Sequence, residues 1–332
     1  MAIAPTNPLR EFDLIERLCA KLPQGRRTIL GVGDDCAVLA PARGRQVVTI
    51  DSMVEGIHFK LAWTNPETLG ARALTVNLSD VAAMGATPTA CVINLAIREG
   101  LNAVFFGRLY AGLMQAARDA GVDIVGGNIT RADQLSITIT LLGEVGDRLM
   151  RRDRARVGDA IYVTGTLGDA ALGLRILQGQ VRARGESRKY LIDRFLAPSA
   201  RIAAGKKLAR LDPAPAAIDI SDGLWQDLGH ILDRSNVGAE MEVDAIPLST
   251  AYRAVNGDNP ELALRGGDDY ELLFCMPPRI SDAALSRKIG VRVTRIGRVV
   301  AEKNLRLIDH GRAIADRSRR LSGWDQLEPS KA

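Results

Sequence analysis

Stacking surfaces are scarce in this chain. Phe, Trp and Tyr together make up 4% of its 332 residues. That argues against a single-stranded nucleic-acid binder, because such proteins stack bases on aromatic rings. Histidine is rarer still. His58, His230 and His310 are the only imidazoles, and no zinc-ligand spacing exists among them. The four cysteines, Cys19, Cys36, Cys91 and Cys275, form no Cys-x-x-Cys pair and sit among apolar residues. They read as buried or unpaired thiols of a reducing compartment, not as metal ligands or disulfides. No apolar run reaches the roughly 18 residues needed to span a bilayer, and no basic segment followed by an apolar one opens the chain. The expectation is a soluble, cytoplasmic protein with no membrane partner. Gly-x-Gly-x-x-Gly is missing, which weakens a nicotinamide-dependent reading, and there is no Walker loop. An excess of one charge is missing too. The 44 basic and 39 acidic residues give a net +5 that is scattered along the chain, and it reads as a solvated surface before a basic funnel for an anion.

What the chain does have is a set of acidic turns beside apolar runs. Three fall early: Gly33-Asp34-Asp35, Thr49-Ile50-Asp51 and Asn77-Leu78-Ser79-Asp80. A fourth, Asp219-Ile220-Ser221-Asp222-Gly223, lies far downstream. Each alone could be a turn or a helix cap. Asp80 resists that reading, because it falls in a mostly apolar helical segment where an unpaired carboxylate is expensive. A cap also explains one acid at 219–222 but not two. Hard cations such as Mg²⁺ take carboxylate oxygens, and nucleotide phosphates complete their shell. The turns therefore suggest a magnesium–nucleotide site drawn from both halves of the chain.

At roughly 150 residues per domain, the length suggests two domains. Apolar spacing predicts helices over 11–22, 66–84, 103–120, 170–177, 198–208 and 224–232. Strands are expected over 27–32, 46–50, 91–97, 122–125, 135–142, 160–163, 216–220, 272–276 and 291–299. This alternation favours α/β or α+β layers. A basic, turn-rich stretch around Arg148–Arg156 suggests a boundary, giving domains 1–147 and 148–332. The segment 179–187 reads as a loop or helix end. In this scheme Asp51 stands at a strand end, and Gly126-Gly127-Asn128 is a tight turn. The loop Thr164-Gly165-Thr166-Leu167-Gly168 has the chemistry of a phosphate cradle, or of a plain strand–helix connector.

The order of the motifs resembles the thiamine-monophosphate kinase family, within the superfamily of aminoimidazole ribonucleotide synthetase, selenophosphate synthetase and the hydrogenase maturation factor. The resemblance rests on GVGDDCAVL (31–39), TIDSMVEGIHF (49–59), ALTVNLSDVAAMGATP (73–88), VGGNITR (125–131), GDAIYVTGTLGDAALGL (158–174), AIDISDGLWQDLGHIL (217–232) and GGDDYELLF (266–274). It implies a two-domain α/β fold whose N-terminal sheet pairs across a homodimer, and ATP-dependent phosphorylation of thiamine phosphate to thiamine diphosphate. Carried over by motif, Asp35, Thr49, Ile50 through its backbone, Asp51, Asp80, Asn128, Asp219 and Asp222 would hold Mg²⁺. Asp80, Asp219 and Asp222 would be catalytic, Gly127, Asn128, Arg152 and Ser221 would contact ATP, and His58, Asp268 and Trp324 would contact thiamine phosphate. Asn128 stands where the family has Asp, and Asp268 where it usually has Glu. Two other readings use the same residues: a synthetase of the superfamily with another acceptor, and a non-catalytic nucleotide-binding protein.

Overall fold

The computed structural model describes residues 11–20, 22, 25 and 27–313. They fall into two compact units, one of residues up to 77 together with 88–144, the other of 78–87 together with the chain from 145 onward.

The first unit holds strands β1 (Thr28–Leu30), β2 (Val38–Leu39), β3 (Arg45–Val54), β4 (Thr87–Ile97), β5 (Asp123–Arg131) and β6 (Ser136–Val145). Its helices are α1 (Glu11–Cys19), α2 (Pro66–Ala83) and α3 (Ala103–Ala120), the last two turns of α2 being grouped with the second unit. Alternate residues of β6, Ile137, Ile139, Leu141 and Val145 among them, are buried. This two-residue period is that of a sheet with one covered face. The sheet runs in the order β3-β6-β4-β5. Helix α3 follows its sequence closely. The Asn102 side chain caps its start by accepting the Phe105 N–H, and Gly121 closes it at φ 70°. Phe106, Leu109, Tyr110, Leu113, Met114 and Ala117 form its buried stripe. Close backbone approach joins α3 to α2: a side chain at Gly112 would start 1.9 Å from the Glu67 carbonyl oxygen, and one at Gly70 2.0 Å from that of Leu109.

The second unit holds strands β7 (Ala160–Thr164), β8 (Ala216–Asp219), β9 (Gly238–Glu242), β10 (Leu272–Met276), β11 (Val293–Val300), β12 (Leu305–Asp309) and β13 (Arg312–Ala313). Its helices are α4 (Asp169–Leu177), α5 (Gly185–Leu196), α6 (Ile202–Ala209), α7 (Leu224–Ser235), α8 (Thr250–Asn256), α9 (Glu261–Arg265) and α10 (Asp282–Ile289). The strands form one seven-stranded sheet, β13-β12-β9-β11-β7-β10-β8. Every residue of β7 is buried, as expected of a strand covered on both faces. Ile161 and Val163 join one core cluster with residues of α4, α5 and α7. Ala160 and Tyr162 join another with Ala82, Ala83, α6 and α10.

Two local expectations change. Strand β3 runs on to Val54, so Asp51 lies within a strand and not at its end. Strand β5 continues through Gly126-Gly127-Asn128, which pair in register with Val92, Ile93 and Asn94 of β4. The glycines there serve close strand approach, not a turn: a side chain on Gly127 would start 2.1 Å from the Ile93 carbonyl oxygen. The segment 179–187, read as a loop or helix end, contains the start of α5 at Gly185. The four cysteines are unpaired; Cys91 and Cys275 are buried, while Cys36 is exposed. Trp324 lies outside the described residues.

Candidate active site

The first unit carries five of the residues expected to hold a cation. Thr49 and Asp51 share one face of β3, while Ile50 projects from the other and is 62% exposed. Only the main chain of Ile50 can therefore serve beside Asp51. The Asp51 N–H donates to Oδ1 of Asn77 on α2 at 3.1 Å. Asp35 is exposed after a turn in which its own N–H donates to Asp34 Oδ1. Asn128 donates through Nδ2 to Asn94 Oδ1 at 2.9 Å, so its Oδ1 is the atom suited to a cation. His58 accepts the Val54 N–H at Nδ1, 3.0 Å away. That bond places the ring proton on Nε2 and makes Nε2 a donor.

The second unit carries the rest. Asp219 ends β8, the chain turns through Ile220-Ser221-Asp222-Gly223, and α7 begins at Leu224. Asp219 is 4% exposed, and Oδ2 accepts the Ser79 hydroxyl at 2.6 Å. Asp80 follows Ser79 on the last turn of α2 and is half-buried. Behind the turn sits an acid that the motifs do not reveal. Asp227, 1% exposed, accepts the N–H groups of Asp222 and Gly223 through Oδ2. Its carboxyl is pushed up to about 8, first by burial and then by the charges of Asp219 and Asp222. Burial also raises Asp222, with Asp268 adding to the effect while His230, Gln226 and Arg152 oppose it.

A second turn is bonded to the first. The Asp268 N–H donates to Ser221 O and the Tyr270 N–H to Ile220 O, both at 2.8 Å, and Ile220 N–H returns a bond to Glu271 O. Gly267 is required by this contact, since a side chain there would start 2.2 Å from Ser221 O. Asp268 and Tyr270 both adopt left-handed backbone, at φ 67° and 51°. For a bulky residue such as Tyr this costs of order 1–3 kcal/mol and persists only when the surroundings enforce it.

For the loop 164–168 the contacts favour the strand–helix connector. Three of its amides are spent inside the protein: Gly165 N–H donates to Arg292 O, Leu167 N–H to Pro247 O, and Gly168 N–H to Asp269 Oδ2. The glycine at 165 makes room for Glu271, whose Oε1 would lie 2.2 Å from an added Cβ. The loop therefore packs on carboxylates and is no phosphate cradle. It belongs to a buried network that also escaped the sequence. Glu271 accepts from Thr164, Arg194 and Arg201, and Asp169 accepts from Thr166, Tyr190 and Ser249. Burial drives the Asp269 carboxyl well above the ordinary carboxylate range.

In this unit Asp219 and Asp222 place carboxylates in a poorly solvated turn backed by the buried Asp227, and hard oxygen donors of this kind suit a divalent cation. Among the described residues, the one group of three within 4.8 Å of one another is Asp244, Asp309 and His310, all exposed.

Two family models match, described as the N-terminal domain (residues 33–145) and the C-terminal domain (residues 156–310) of AIR synthase related protein. The thiamine-monophosphate kinase of Salmonella typhimurium is 40% identical over 301 residues, which cover 88% of this chain and 91% of that protein. The crystal structure of the thiamine-monophosphate kinase from Stenotrophomonas maltophilia superposes with a TM-score of 0.81 at 39% identity, covering 92% of this chain and 98% of that one. A structure described as AaThiL complexed with AMPPCP and TMP superposes with a TM-score of 0.74 at 33% identity over 97% of this chain and 100% of that one.

Proposed function

The chain belongs to the thiamine-monophosphate kinase family, and on that premise we propose that it phosphorylates thiamine phosphate with ATP to give thiamine diphosphate. The observation that carries this reading is the joined pair of turns in the second unit. Main-chain bonds tie the turn of Asp219, Ser221 and Asp222 to the turn of Asp268, and in the carry-over from the family these serve the cation, ATP and the acceptor. A relative held together with AMPPCP and TMP supports the same pair of substrates.

The acceptor oxygen belongs to a phosphate already largely ionised near neutral pH. It attacks the γ-phosphorus of ATP, the bond to the β–γ bridging oxygen breaks, and ADP leaves. No strong base is needed, so three histidines are no obstacle. The protein contributes position and compensating charge. Ser221, Arg152, Gly127 and Asn128 are assigned to ATP by the carry-over from the family. His58 donates from Nε2, Asp268 presents its carboxylate, and Trp324 offers a ring face to the acceptor's cationic thiazolium. Asp35, Thr49, the Ile50 main chain, Asp51 and Asn128 in the first unit, and Asp80, Asp219 and Asp222 in the second, are the residues that would hold magnesium. Magnesium, when bound, supplies charge neutralisation on the phosphates.

ADP release measured with thiamine phosphate, beside formylglycinamidine ribonucleotide and selenide, tests the reading. Turnover is expected with thiamine phosphate alone. Turnover with either alternative acceptor instead would reassign the chain within the superfamily, and none with any would leave a nucleotide-binding protein.

Two expectations concern single residues. Asn128→Asp should lower the magnesium concentration for half-maximal rate, because a carboxylate attracts a divalent ion more strongly than an amide oxygen. Superimposable magnesium titrations would make residue 128 a sheet residue only. Trp324→Ala should raise KM for thiamine phosphate more than KM for ATP. Equal rises would assign the ring to packing.

Homodimer formation through the N-terminal sheet is also part of the proposal. It is supported by β3, an edge strand with Val48 at 68% and Ile50 at 62% exposure. Unpaired edges carrying apolar side chains favour pairing with another chain. Sedimentation of the protein at micromolar concentration would decide it. We also place the protein in the cytoplasm and its domains at 1–147 and 148–332. Among the described residues no helix is long and apolar enough to cross a membrane.

A further inference from the structure

Asp268 sits on a turn that its own sequence does not favour. Residues 268 and 270 both hold positive φ, and neither is glycine. Asn and Asp tolerate that region through local side-chain bonds; Tyr does so rarely. Three contacts enforce the turn. Main-chain bonds fix the N–H groups of Asp268 and Tyr270 to Ser221 and Ile220. Between them the Asp269 side chain points inward, 1% exposed, and accepts the Gly168 N–H at 2.8 Å. Arg194 reaches the same segment, donating to the Asp269 carbonyl oxygen at 3.4 Å and to Glu271 Oε1 at 3.2 Å. The result of this geometry is a third side-chain contact: the Tyr270 hydroxyl donates to Asp268 Oδ1 at 3.0 Å. With ordinary backbone at 268 or 270, two side chains separated by one residue would follow a different course, and this bond would not be set by the chain.

We infer that Tyr270 is a positioning residue for the acceptor, aiming the Asp268 carboxylate from a turn that Asp269 anchors from inside the unit. The inference rests on the reading in which Asp268 contacts thiamine phosphate. Tyr270 touches no substrate in this scheme. It restricts the rotation of Asp268, so that a carboxylate one methylene shorter than the family's usual Glu still meets its partner at a defined place.

The test uses the full chain and initial rates with ATP and thiamine phosphate varied in turn, for Tyr270→Phe, Asp268→Ala and the double variant. Tyr270→Phe removes only the hydroxyl. It should raise KM for thiamine phosphate roughly tenfold, the size of a hydrogen bond to a charged group, while KM for ATP moves less than about twofold. In the Asp268→Ala background the same substitution should add nothing, because the bond it removes is already gone. Asp269→Ala should also raise the acceptor KM. Asp269→Asn, which keeps an oxygen for the Gly168 N–H, should rescue most of that loss. If Asp269→Ala does not fold, the Tyr270 series stands alone. Additive effects in the double variant, or equal rises in both KM values, would overturn the inference by making Tyr270 a general support of the loop. If Asp268→Ala raises the acceptor KM and Tyr270→Phe does not, the inference fails while the functional reading survives. If Asp268→Ala leaves the acceptor KM unchanged, the assignment of Asp268 fails and takes the inference with it.

Discussion

Asp219→Asn is expected to lose at least roughly a hundredfold in kcat and, without magnesium, to melt above the parent protein. The two effects have one cause. Asp219 is 4% exposed, and its charge adds to the burial that pushes the Asp227 carboxyl up to about 8. Before a cation binds, that repulsion is a cost of folding. An amide removes one charge but keeps an oxygen to accept the Ser79 hydroxyl, now 2.6 Å from Oδ2, so the local fold should survive. Relief of about 1 kcal/mol would raise the melting temperature by about 2–4 °C. With the carboxylate gone, added magnesium should stabilise the variant less than the parent, since ligand stabilisation follows affinity for the folded state. Turnover falls because a lost ligand removes charge neutralisation worth several kcal/mol in the transition state. Thermal melts with and without magnesium, alongside steady-state rates, measure all three quantities. A variant that melts lower and keeps near-normal turnover would make Asp219 a structural acid and end its assignment to the cation.

Much of this arrangement is legible from residues close together in sequence. Helix α3 could be bounded because its apolar period and its closing Gly121 lie within one stretch. The turn 219–223 stood out because two acids beside one strand exceed what a cap requires. The readings of Gly126-Gly127 and of the loop 164–168 share a different property: each depends on a partner far along the chain. Gly126-Gly127 has the composition of a turn, yet what excludes a side chain at 127 is Ile93 on the neighbouring strand. The loop 164–168 looks like a phosphate cradle until Asp269 and Glu271, roughly a hundred residues later, are found against it. Asp227 looks like an ordinary acid in the first turn of a helix. Its importance comes from burial against two other acids, and burial has no signature in a single residue. Arg194 was hidden in the same way, on a helix of mainly polar sequence whose buried side is only Leu191, Ile192 and Phe195.

That contrast sets the other large effect, expected at Glu271 and opposite in sign to the one at Asp219. Both acids belong to the second unit and both are almost completely buried. Glu271, however, is fully partnered. Thr164 Oγ1 donates to it at 2.6 Å and Arg201 Nε at 2.7 Å, and Arg194 approaches to 3.2 Å with its side chain 13% exposed. The Thr164 hydroxyl in turn accepts the Leu272 N–H at 2.8 Å, tying the network to β10. Glu271→Ala would leave two guanidinium groups facing a void with the acid that accepts from both of them gone. Removing one member of a buried ion pair costs about 3–5 kcal/mol, because the surviving charge stays desolvated. At about 2–4 °C per kcal/mol, the melting temperature should fall by about 6–20 °C, with or without magnesium. Glu271→Gln should lose less, since an amide still accepts from Thr164 while giving up the charge. Calorimetry of the full-length variants, read on the transition that shifts, provides the measurement. A fall of less than about 2 °C in Glu271→Ala would show that water or the neighbouring acids compensate Arg194 and Arg201, and that the network does not hold the sheet against its helices. A large fall there beside a rise in Asp219→Asn would separate an acid buried for the fold from one buried for the reaction.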